Sequence, residues 1–152
     1  MRTITRIIIH CADTPAHMDI GAAEIRQWHT DPKPRGRGWS DIGYHYVIRR
    51  NGLVETGRDL DGDGDIDEEI GAHAYGNNDD SLGICLVGGK PDFNFTFAQL
   101  VALVNLTLDL AQIHNVQQSG IIGHRDVNMS GKTCPTFDVA SLFSALKPGV
   151  PS

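Results

Sequence analysis

Two uninterrupted apolar runs limit what this chain can fold into. Residues 5–10 read TRIIIH and residues 81–89 read SLGICLVGG. A strand with one wet face alternates apolar and polar side chains. A run that is apolar on both faces belongs inside a sheet covered on both sides. Helices must supply that cover, and the chain contains them. GAAEIRQWHT at 21–30 predicts a short helix, ended by the breaker-rich DPKPRGRG. Residues 96–114 predict the longest helix, opened by a Thr96/Gln99 capping box. Its expected buried stripe is Phe97, Leu100, Val101, Val104, Leu108 and Ala111. Residues 137–147 predict a closing helix with Asp138 as N-cap. YHYVIRRNGLVET at 44–56 predicts a hairpin around Asn51-Gly52, and SGIIGH at 119–124 a short strand. The expected fold class is α/β: a single domain with a mixed, mostly buried β-sheet flanked by helices.

The length of 152 residues fits one domain with a sizeable core. Thirteen Lys and Arg against nineteen Asp and Glu give a net charge of −6, which argues against nucleic acid as a partner. No apolar run reaches the ~20 residues of a membrane span, so no membrane insertion is expected. The opening MRTITRIIIH has no cleavage-site pattern and reads as a strand, not a signal peptide. Three cysteines without an export signal predict free thiols.

The chemistry gathers in GHRDVNMSGKTCPTFD at 123–138. His124 and Cys134 lie ten positions apart on a loop-forming stretch, with Lys132 two before the cysteine. His10 ends the first strand and His124 ends a late one. Open sheets build sites at the C-terminal ends of their strands, so the two imidazoles are expected to meet there. Two imidazoles and a thiolate suit zinc, with a fourth position left for water. Spacing alone leaves the matter open, because a histidine at a strand end is commonly a surface or cap residue.

Other polar groups read more plainly. His45 alternates with Tyr44 and Tyr46 and is expected on the opposite face from Tyr44, in a structural role. Cys11 and Cys85 lie in apolar strand context and read as inert buried thiols. Trp28 and His29 are expected to pack, and His17 and His114 to be exposed. DLDGDGDIDEE at 59–69 matches the start of a calcium loop through Asp59, Asp61, Asp63, Gly64, Ile66 and Asp67. Its twelfth position is Ile70 instead of Glu, and no helices are predicted on either side. An acidic, solvated turn is the preferred reading over a structural Ca²⁺ site reaching to Glu69.

RIIIHCADTP, EIRQWHT, RGWSDIGYHYVIRRNGLVETGR, IGAHAYGNNDDSLGICLVGG and the His124–Cys134 segment together resemble the type-2 N-acetylmuramoyl-L-alanine amidases. That family includes small phage lysozymes with amidase activity and the peptidoglycan recognition proteins. The resemblance implies their fold, and one zinc amidase catalytic domain over 1–152 without a separate cell-wall-binding domain. It implies one Zn²⁺ on His10, His124 and Cys134, with Tyr44 and Lys132 catalytic. A zinc-bound water would attack the lactyl–L-alanine amide of peptidoglycan. Tyr44 and Lys132 would stabilise the oxyanion or relay protons. His73 and Asn78 resemble substrate-contacting cleft positions. The implied partners are the muramic acid and stem peptide of peptidoglycan, and a monomer is expected. The implied setting is a phage or prophage endolysin, made in the cytoplasm and released across the inner membrane. The alternative is a non-catalytic peptidoglycan-binding protein, disfavoured by the presence of Cys134.

Overall fold

The structure is a computed structural model that describes residues 2–128 and 133–145. Its elements are β1 (Arg6–Cys11), β2 (Thr14–Pro15), α1 (Ala22–Thr30), β3 (Tyr46–Ile48), β4 (Val54–Thr56), β5 (Ser81–Leu86), β6 (Gly89–Lys90), α2 (Phe97–His114), β7 (Ile121–Gly123) and α3 (Val139–Ala145). The main sheet runs β4-β3-β5-β1-β7 and is parallel except for the β3–β4 hairpin; β2 and β6 form a separate pair. The two apolar runs become the adjacent central strands β1 and β5, as a doubly covered sheet requires. Ile7, Ile9, Leu82, Ile84 and Leu86 face a core shared with Leu103 and Leu110 of α2 and Val139 and Phe143 of α3. Val47, Cys85 and Val87 join Ala22 and Ile25 of α1 in a smaller core.

Helix α2 corrects one expectation. Its capping box forms: Thr96 Oγ1 accepts from Gln99 N, and Gln99 Oε1 from Thr96 N. The buried residues, however, are Gln99, Leu103, Thr107 and Leu110. Leu100, Val104 and Ala111 are partly buried, but Phe97, Val101 and Leu108 are 83%, 42% and 38% exposed. The helix is apolar around most of its circumference, so periodicity alone picks out no face. A polar residue picks it instead. Gln99 Nε2 donates to the carbonyls of Ile48 and Val87, which turns that side onto the sheet. Among described helices, α2 alone is long and apolar enough to cross a membrane, by length and composition only. At α3, Asp138 occupies the position before the first helical residue, and Ser141 Oγ donates to its carboxylate.

The acidic loop is only partly a solvated turn. The Asp59, Asp61 and Asp63 ligand oxygens lie within 4.8 Å of one another. Backbone N–H groups of Gly64, Asp63 and Asp65 bond these three carboxylates in turn. Asp67 points inward, where it accepts from Tyr46 Oη and pairs with His114 Nε2 at 2.6 Å. His114 is therefore paired and half-buried, not exposed, while His17 is exposed as expected.

Candidate active site

Strand pairing assembles the centre. Ile9 of β1 is in register with Gly123 of β7, so the next residues, His10 and His124, stand side by side. Their rings lie 4.4 Å apart at 46°. Cys134 arrives on the loop before α3 and is tied to the end of β1: the Cys11 N–H donates to Cys134 Sγ at 2.9 Å. The Arg125 N–H holds the Cys134 carbonyl at 2.7 Å. Gly123 permits this approach, since a Cβ there would come within 2.9 Å of Pro135. One ligand atom from each of His10, His124 and Cys134 falls within a 4.8 Å cluster.

The electrostatics suit a cation. His10 is 1% exposed, and burial, then the neighbouring His73, His124 and His45, hold it well below the usual imidazole range. It is neutral at pH 7, with a lone pair to offer. The hydrogen bond with the Cys11 thiol and burial push the Cys134 thiol up, so a cation must displace its proton. Two borderline nitrogens and one sulfur lining a cleft of about 1100 Å³ fit zinc better than magnesium or calcium.

Tyr44 lies beside this centre, its ring 5.1 Å from His10 and 5.5 Å from His29. It precedes β3, whose regular pairing begins only at Tyr46. Strand alternation therefore does not govern it, and the expected opposition of Tyr44 and His45 fails. Tyr44 reaches His10, while His45 packs edge-on against His73 in the same cluster. His45 is fully buried, with Nδ1 accepting from Gly83 N and Nε2 bonded to the Glu69 carbonyl. Burial, then the nearby cysteines, push the Tyr44 phenol well above its usual value, so it remains a neutral O–H.

The remaining candidates divide. His73 is 8% exposed and its Nδ1 lies 2.8 Å from His10 Nε2. Asn78 lines the cleft, but its Oδ1 accepts from His73 N and Ala74 N and so shapes the 73–78 turn. His29 packs as expected against Trp39 and accepts from Gly43 N, whereas Trp28 is 41% exposed. Lys132 lies outside the described residues. Sequence reasoning missed Arg37, which stacks on Trp39 at the cleft wall, and fully exposed Tyr75. It also missed the part Cys11 plays in seating Cys134, although adjacency to His10 was a usable signal.

The family described as N-acetylmuramoyl-L-alanine amidase matches residues 1–137 of the sequence. The chain belongs to that family. The amidase is 44% identical over 142 residues to the endolysin of Klebsiella phage KP32, covering 89% of this chain and 82% of that one. Its fold superposes on the N-acetylmuramoyl-L-alanine amidase LysC from Clostridium intestinale with a TM-score of 0.77 at 26% identity, over 96% and 87% of the two chains. It also superposes on a mutant of the Drosophila peptidoglycan recognition protein PGRP-LB in complex with tracheal cytotoxin. There the TM-score is 0.73 at 26% identity, over 95% and 82% of the chains. The mixed sheet flanked by helices is thus the amidase and peptidoglycan-recognition fold.

Proposed function

We propose that this amidase hydrolyses the lactyl–L-alanine amide of peptidoglycan with one zinc ion held by His10, His124 and Cys134. The observation that carries the reading is the meeting of these three donors at the floor of one open cleft, beside Tyr44. Zinc, when bound, would polarise the scissile carbonyl and make a water ionisable near neutral pH. The chain's own groups do the rest. Neutral His10 and deprotonated Cys134 hold the cation. The Tyr44 hydroxyl donates to the oxygen on which negative charge develops. Lys132, two residues before Cys134, offers an ammonium for the same charge or a proton for the leaving amine. Likeness to the KP32 endolysin supports a phage endolysin role, with action on the wall after release from the cytoplasm. The tracheal cytotoxin complex of the PGRP-LB neighbour supports a peptidoglycan fragment as occupant of the cleft.

Digestion of purified peptidoglycan, with and without a chelator, tests this. New L-alanine amino termini without new reducing sugar ends, abolished by the chelator and restored by zinc, are expected. New reducing ends would mean a glycosidase, and intact wall with bound protein would mean a binder.

A further inference from the structure

We infer that His73 is a positioning residue that fixes the tautomer of His10 and so selects which of its ring nitrogens meets the metal. The inference rests on the zinc reading above for its consequence, but its geometry is independent of it. Ser81 Oγ donates to the Asn77 carbonyl at 2.6 Å, which commits the only hydroxyl proton. The same oxygen lies 3.3 Å from His73 Nε2 and can only accept, so Nε2 of His73 carries a hydrogen. A neutral imidazole has one N–H, which makes His73 Nδ1 an acceptor. His10 Nε2, 2.8 Å away, is then the donor. That leaves the His10 lone pair on Nδ1. A chain of three hydrogen bonds thus runs from a backbone carbonyl to a metal-site imidazole. Such outer partners orient a ligand and raise its basicity.

The site is built to hold this ring. His73 lies flat against β5 where Gly83 has no side chain: a Cβ there would stand 2.4 Å from His73 Cγ. Gly71 makes the second wall, its Cβ position 2.7 Å from His73 Cδ2. Ser81 is fully buried, His10 is 1% exposed and His73 8%, so water does not compete freely for these bonds. Both ring nitrogens of His73 are engaged within the protein. This assigns the residue a different task from direct contact with substrate.

Nitrogen-15 spectra of the histidine rings and zinc competition against a chromophoric chelator test the relay. The zinc-free wild-type protein should show His10 protonated at Nε2 and bare at Nδ1. Ser81→Ala removes the acceptor for His73 Nε2–H and should give His10 mixed tautomers. His73→Phe keeps a ring against Gly83 without nitrogens and should weaken zinc by roughly 10- to 100-fold, the usual loss for a missing outer partner. Gly83→Ala keeps every nitrogen but displaces the ring, and should weaken zinc in the same direction. A His10 ring protonated at Nδ1, or one whose tautomer is unchanged in Ser81→Ala, overturns the inference. If a variant fails to fold, the wild-type spectrum still decides. Wild-type protein with the expected tautomer but no zinc affinity would sink the zinc reading and leave the relay standing.

Discussion

Replacing Tyr44 with Phe removes one oxygen and keeps the ring that packs on His10 and His29. The ring also packs against the small core that contains Cys85. Removing one such hydroxyl costs on the order of 1 kcal/mol of stability at most. The loss in the reaction should be larger, because charge on the carbonyl oxygen appears only during attack. One missing oxyanion donor in a water-poor site is worth about 10²–10³ in kcat, or ~3–4 kcal/mol. Tyr44→Phe should therefore melt close to the wild type and hold zinc equally, while kcat on muramyl peptides falls by about that factor and KM changes little. Because burial holds the phenol well above its usual range, the wild-type rate should not fall through loss of the Tyr44 proton below about pH 10. Cys85→Ala serves as control: it removes a thiol packed near the ring but not the donor, and should cost much less in kcat. A Tyr44→Phe enzyme within about threefold of wild type, with zinc in place, would refute the role, since no oxyanion donor is that dispensable.

Further outcomes are expected. Lys132→Ala should keep the fold and the zinc but lower kcat by roughly 10²-fold in steady-state assays; loss of zinc in that variant would contradict a purely electrostatic role. Elemental analysis should find about one zinc per chain, as three protein ligands imply, and Cys134→Ser should weaken it, so full occupancy in a His10→Ala, Cys134→Ser double variant would rule out the ligand set. Burial holds His45 at about 4 against an ordinary 6.5. The unfolded chain takes up that proton first, so the stability is complete above pH 6.5 and drains away as pH falls toward 4. The loss for this site is about 3 kcal/mol, and urea midpoints unchanged between pH 7 and 4.5 would contradict it. Gln99→Leu strips donors from the Ile48 and Val87 carbonyls and the acceptor from Thr96 N. It should cost roughly 2–3 kcal/mol in urea unfolding, with zinc affinity unchanged.

Residue chemistry was enough to place the sheet and to nominate the centre. Runs apolar on both faces can only be interior strands, Asn51-Gly52 can only turn tightly, and Thr96 with Gln99 marks a helix start. Each is a local rule satisfied within a few residues. The same holds for His10, His124 and Cys134 as candidates: their donor atoms define the metal they suit wherever the chain puts them. Their meeting is another matter. It depends on the register of β1 against β7, which sets Ile9 beside Gly123, and no local signal fixes the alignment of strands more than a hundred residues apart. The buried face of α2 was hidden for a related reason. An almost wholly apolar helix carries no periodic signal, and its orientation comes from Gln99 reaching carbonyls of two other strands. Tyr44 and His45 converge on one cluster because the chain before Tyr46 is not a strand, a fact set by tertiary hydrogen bonds to Gly83. His73 shows the division most clearly. Its presence near the cleft was readable, but its hydrogen-bond partners come from β1 and β5, and only packing against a missing side chain at Gly83 makes room for it.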